Sequence, residues 1–180
     1  VFLAATYATS TEGPLRAAEF TFPAGASLRD VLETLRRGRP VQRRLTIPEG
    51  LTIRQISQLL DRTEGLVGEM PVVAEGAILP ETYAFQFGDT RASVVRRATQ
   101  AMDQALAEIW ASRTPGLPLA TPREMLILAS IVERETGRDG ERPRVAGVFI
   151  NRLRRGMMLQ SDPTTAYAAA DGGVLDRPLT

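Results

Sequence analysis

Apolar residues fall at helical spacing through most of the chain. Leu28, Val31, Leu32 and Leu35 lie on one face of a helix, and Ile53, Ile56, Leu59 and Leu60 lie on another. Val94, Val95, Ala98, Ala101, Met102, Ala105, Leu106 and Ile109 form a continuous stripe, which predicts a long helix capped at Asp89 or Thr90 and running to about Trp110. Val145, Val148, Phe149 and Leu153 give the buried face of a helix that opens at Pro143 and is closed by Gly156. Asp162-Pro163-Thr164-Thr165 reads as an N-cap and first turn for a short helix through Tyr167.

The stretch Thr121 to Thr136, TPREMLILASIVERET, is the centre of this pattern. Thr121 caps it, Pro122 takes the first helical position and Glu124 completes the capping spacing. Met125 to Val132 is apolar except for Ser130, as expected of a helix buried nearly all round, which Gly137 then ends. Leu126, Ala129, Ser130 and Glu133 share one face by the i, i+3, i+4, i+7 rule. Glu133 therefore puts a carboxylate among groups that avoid water. A buried carboxylate must be paired, hydrogen-bonded or protonated, and a protonated one can serve as a general acid. A structural Glu bonded to backbone or to an Arg is the alternative. Glu135 lies about 180° round the helix from Leu126, at ~100° per residue, and points elsewhere.

The first third contains a two-fold repeat. FTFPAGASLRDV (20–31) reappears as LTIPEGLTIRQI (45–56), each a short β-type run, a Pro-x-Gly turn, a Ser or Thr cap and a helix. Ser27 with Asp30 and Thr52 with Gln55 have capping-box spacing. Two such units predict one small α/β module, its strands paired and its helices on one face. Residues 61 to 88 are a connector, within which EGAILPETYAF (75–85) suggests an edge strand or an ordered loop.

Composition narrows the chemistry. The 180 residues contain no His and no Cys, and all 22 basic residues are Arg, none Lys. This excludes imidazole- or thiol-based nucleophile systems, Schiff-base lysines and the phosphate-binding lysine of P-loops. Carboxylates, hydroxyls, Tyr, Arg or an oxygen-ligated metal remain, and carboxylate acid/base chemistry is typical of glycosidic bond cleavage. A net charge of +1 makes no electrostatic case for nucleic acid. Arg152, Arg154 and Arg155 crowd the end of one helix, where cations complement the dipole. The opening VFLAA and the closing DGGVLDRPLT read as the edges of a piece of a longer protein.

LTIPEGLTIRQI (45–56), EGAILPETYAF (75–85), LASIVERETG (128–137), ERPRVAGVFINRL (141–153) and GMMLQSDPTTAY (156–167) occur in this order, and together the chain resembles the MltG or YceG-like family of endolytic murein transglycosylases. The resemblance implies an α+β fold: a membrane-proximal lead-in (1–19), a small LysM-like module (20–66) and a mainly helical catalytic domain with a buried central helix (67–180, incomplete at its C-terminal end). It implies a single-pass anchor, outside this chain, in the cytoplasmic membrane, with the catalytic part on the extracytoplasmic side. The substrate would be peptidoglycan glycan strands, with cell-wall synthases as partners and no cofactor or metal. The catalytic residue would be the first Glu of the IVExET motif, Glu133, the residue singled out by helix geometry. Tyr83, Glu81, Asn151, Gln160, Asp162 and Thr164 are candidates for substrate contact, with N-capping as the structural alternative for Asp162 and satisfaction of a buried backbone group for Asn151. Ser161 stands where the family's LQTDPT-like pattern commonly has Thr, retaining the hydroxyl.

Three readings stay open at this level. In the first, Glu133 protonates the bridging oxygen between MurNAc and GlcNAc and then deprotonates the MurNAc 6-hydroxyl, which closes a 1,6-anhydro ring. In the second, the scaffold is a hydrolase with Glu81, Glu141 or Asp162 as base. In the third, it is a non-catalytic peptidoglycan-binding or division scaffold.

Overall fold

The computed structural model describes residues 1–170. A short helix α1 (Phe2–Ala8) and a 3-10 turn (Ser10–Glu12) lead into α2 (Leu28–Arg37), β1 (Arg43–Thr46), α3 (Ile53–Arg62), β2 (Thr82–Phe85), α4 (Arg91–Ala111), α5 (Pro122–Glu135), a second 3-10 turn (Asp139–Glu141), α6 (Arg142–Arg154) and α7 (Asp162–Ala169). The result is a helix-rich α+β architecture with a two-stranded antiparallel sheet among the described residues. None of its described helices is long and apolar enough to cross a membrane.

Local chemistry sets the helix starts. Ser27 accepts from the Asp30 N–H while Asp30 reaches back to the Ser27 N–H, and Thr52 and Gln55 do the same on α3. Each reciprocal box satisfies two of the otherwise unpaired amides of a first turn, and losing the capping hydroxyl costs about 1 kcal/mol. Thr90 caps α4 through Ser93, and Thr121 caps α5 through Glu124, with Pro122 in the first turn.

The strand pairing corrects the expectation from the repeat. Residues 20–22 form no strand; β1 pairs instead with β2, in the register Arg43 to Phe85, Leu45 to Tyr83 and Thr46 to Thr82. The cause is side-chain alternation: Leu45 and Ile47 are buried on one side, and Tyr83 and Phe85 meet them. Phe20-Thr-Phe has no comparable partner and leaves Phe22 exposed. The ladder seeds the larger core, in which Leu45, Ile47, Ile56, Leu60, Leu66, Ile78, Tyr83, Phe85, Val94, Val95 and Ala98 pack together. That core draws on residues from both sides of the 66/67 junction.

A second, smaller core joins Leu128, Ile131 and Val132 of α5 to Phe149 of α6, flanked by Val145, Ala146, Ile150, Leu153 and Leu159. Arg36, buried on α2, clasps the lead-in: its guanidinium donates to the carbonyls of Gly13 and Thr9, to the Thr9 hydroxyl and to Glu12.

Candidate active site

The central helix is covered on one side only among the described residues. Leu128, Ile131 and Val132 are buried, whereas Ala129 and Ser130 are exposed and Leu126 and Glu133 are half-buried. This corrects the expectation of a helix enclosed all round. Sequence spacing places Leu126, Ala129, Ser130 and Glu133 on one face, as found. Apolar content alone, however, does not say what lies over that face, and Ala and Ser offer little area to cover. The face is an open floor with Glu133 at its C-terminal end.

Two glycine turns of the larger core border this floor. Gly76 has a φ of 74°, and a Cβ there would stand 3.3 Å from Leu126 Cδ2. Gly50, at φ 72°, would bring a Cβ within 3.6 Å of Arg134 Cδ. Only glycine takes both the left-handed backbone and the close approach at Gly76 without strain. The turn at Gly50 is anchored from behind by Glu75, whose carboxylate accepts from the first amide of α3, at Ile53.

Glu133 is not the sequestered carboxyl that the sequence suggests. Its side chain is 31% exposed, and Oε1 accepts from Arg142 Nη2 at 2.8 Å. Arg142, at the start of α6, also reaches Asp139 at 3.2 Å through Nη1, and its buried Nε has no hydrogen-bond partner. The carboxylate is therefore aimed by a guanidinium and open to solvent on one side. Thr136 and Glu141 brace the intervening turn: the Thr136 hydroxyl donates to Glu141 Oε2 at 3.0 Å, and Arg138 pairs with Glu141 Oε1 at 3.2 Å. Glu141 is thereby engaged in holding the turn.

The remaining candidates separate. Tyr83 is buried in the larger core, with its hydroxyl donating to the Leu79 carbonyl at 2.7 Å; Glu81 is exposed and accepts from the Thr82 amide. Asn151 lies on the exposed side of α6, so it does not satisfy a buried backbone group through its side chain. Asp162 is the first helical residue of α7, not its N-cap; Ser161 takes that position, and the Thr164 hydroxyl donates to the Ser161 carbonyl. Gln160 lines an open groove of about 250 Å³ with Glu135, Val145, Val148, Phe149, Arg152 and Leu159.

Glu135, which helix geometry sends away from Glu133, thus has a place of its own. It accepts at 2.5 Å from the hydroxyl of Ser161, a residue only 3% exposed. No local spacing announces this contact, because the partners are 26 residues apart. Gln160, beside it, has φ 52°, the one positive φ outside glycine among the described residues. A left-handed side-chain-bearing residue costs on the order of 1 kcal/mol.

The model of the YceG-like family matches residues 1–179. An endolytic murein transglycosylase of Streptococcus pneumoniae serotype 2 (strain D39 / NCTC 7466) is 29% identical over 198 residues, covering 86% of this chain and 35% of that protein. An endolytic murein transglycosylase of Bacillus subtilis (strain 168) is 34% identical over 95 residues, covering 53% of this chain and 26% of its own length. The chain thus spans about a third or less of these relatives. The crystal structure of a putative YceG-like protein from Listeria monocytogenes superposes with a TM-score of 0.58 at 22% identity, covering 99% of this chain and 68% of that one, and so shares the fold. By the family model that spans almost all of its residues, the chain belongs to the YceG-like family.

Proposed function

We propose that this chain carries the acid/base centre of an endolytic peptidoglycan transglycosylase, with Glu133 as the catalytic residue. The observation that carries this reading is the open face of α5, which ends in a carboxylate aimed by Arg142 and reachable from solvent. The names of the relatives supply the substrate class. Peptidoglycan lies outside the cytoplasmic membrane, so the site works on the extracytoplasmic side.

In the first half of the reaction, Glu133 in its acid form protonates the glycosidic oxygen between MurNAc and GlcNAc as the bond from that oxygen to the MurNAc anomeric carbon breaks. In the second, the carboxylate takes the proton of the MurNAc 6-hydroxyl, whose oxygen bonds to the same carbon and closes the 1,6-anhydro ring. The proton thus returns to Glu133. The nucleophile is tethered to the reacting centre, which can be worth an effective molarity of ~10⁵ M, or about 7 kcal/mol, when well oriented. One carboxylate then suffices where hydrolases use two. The Arg142 contact fixes the direction in which the carboxylate faces the bound glycan.

Of the expected contacts, Gln160 lines the groove with Glu135, whereas the Tyr83 hydroxyl is already engaged by the Leu79 carbonyl in the free chain. Residues 20–66 as a LysM-like glycan-side module is a companion proposal. It is supported by the matched capping boxes of α2 and α3, which follow Pro-x-Gly turns.

Mass spectrometry of purified sacculi digested with the protein and with Glu133→Gln tests the reading. Anhydro-ended fragments from the unaltered chain alone are expected. Reducing ends would assign a hydrolase, and undiminished cleavage by the variant would remove Glu133 from the reaction.

A further inference from the structure

The groove beside Glu135 has a chemistry that the acid/base centre does not use. Its floor is apolar: Val145, Phe149 and Leu159. Its rim carries one carboxylate (Glu135), one guanidinium (Arg152) and one primary amide (Gln160). The segment that forms one wall is held at three points. The Met157 amide donates to the Arg152 carbonyl at 2.9 Å, Arg152 Nη1 donates to the Leu159 carbonyl, and the Ser161 hydroxyl donates to Glu135 Oε1. Between the last two anchors sits Gln160, in the left-handed conformation that glycine or asparagine would take more readily. A strained residue persists where the surroundings over-determine it, and such residues gather at ligand sites.

We propose that this groove is a subsite for the acetamido group of an N-acetylated hexosamine, with Gln160 and Glu135 as its specificity-determining residues. The inference rests on the glycan-cleaving reading and extends it to a second place on the same strand. The match is group by group. The acetyl methyl sits on Val145 and Phe149. The acetyl carbonyl accepts from the Gln160 amide or the Arg152 guanidinium. The acetamido N–H donates to Glu135, whose bond from Ser161 occupies Oε1 and leaves Oε2 for this contact. A carboxylate on the rim disfavours phosphate or another anion. The volume, about 250 Å³, suits one sugar ring and not a folded partner. An alanyl amide of a peptide stem offers the same methyl, carbonyl and N–H, so the source of the group is decided by experiment.

Gln160→Gly is the decisive variant, because glycine fits φ 52° and removes only the side chain. The probe is N,N′,N″-triacetylchitotriose, titrated into the full chain and followed by NMR, with the de-acetylated trimer and an L-alanyl-D-glutamate dipeptide as separate arms. The acetylated trimer is expected to shift signals of Val145, Phe149 and Gln160, and the de-acetylated trimer to leave them in place. Gln160→Gly is expected to weaken trimer binding about tenfold without lowering Tm. The proposal is overturned by unchanged affinity in Gln160→Gly, by shifts confined to other residues, by no shift at millimolar trimer, or by a response to the dipeptide alone. The acid/base reading is judged separately by cleavage in Glu133→Gln. Unimpaired trimer binding by that variant together with loss of cleavage supports both readings, and unimpaired binding with retained cleavage removes the acid/base reading while leaving the subsite.

Discussion

The carboxylate of Glu133 and the guanidinium of Arg142 meet at 2.8 Å, joining the end of α5 to the start of α6. Both side chains are about a third exposed, so the pair adds roughly 0–1 kcal/mol to stability. Its effect lies in orientation: a carboxylate with a free rotor has no fixed direction in which to pass a proton. Arg142→Gln is expected to leave the urea midpoint almost unchanged and to lower kcat by about 10- to 100-fold. Kinetics on defined glycan strands checks this. A change confined to KM would make Arg142 a binding residue instead.

Ser161 is buried, and its hydroxyl has a charged acceptor. Ser161→Ala is expected to destabilise the fold by about 1–3 kcal/mol, the range for a hydrogen bond to a charged group. Ser161→Thr retains the donor and should lose less. Urea unfolding of the three proteins provides the comparison, and equal midpoints for Ser and Ala would show that the contact contributes nothing.

The Tyr83 phenol is held above its usual value, first by burial and then by the charge of Glu81. Above pH ~10 the unfolded chain releases this proton while the folded chain keeps it. The folded state then binds more protons, and stability falls as pH rises. Below that pH the contribution is fully present. Unfolding followed from pH 7 to 11 should show the alkaline decline shrinking in Tyr83→Phe. At neutral pH the variant should lose about 1 kcal/mol for the bond to Leu79 and cleave glycan normally.

Because β1 finds its partner at 82–85 and the larger core extends to Ala98, a peptide of residues 20–66 is expected to remain unfolded, whereas residues 14–111 should fold cooperatively. Circular dichroism and thermal melts of the two fragments test this. Within the intact chain, Leu60→Ala, at a position with no exposed surface, should cost about 2–5 kcal/mol.

Helix starts were legible in the sequence because capping is local: Ser27, Thr52, Thr90 and Thr121 each act on a residue three positions ahead. The pairing of Leu45 with Tyr83 was not, since four-residue strands separated by a helix carry no hairpin turn signal. The repeat pointed to the wrong partner for the same reason: two similar segments have equal propensity, and burial by a third decides between them. At the site, the position of Glu133 on its face could be read from spacing, but not its exposure, which depends on what covers that face. Neither the contact of Glu135 with Ser161 nor the backbone of Gln160 leaves any periodic trace.

The clasp of Arg36 on the lead-in has a consequence for how firmly residues 1–13 stay docked. Three of its four acceptors are uncharged: the carbonyls of Gly13 and Thr9 and the Thr9 hydroxyl. Added salt screens only the Glu12 contact, whose carboxylate is largely exposed. The attachment thus behaves as a latch that added salt loosens at only one of its four points.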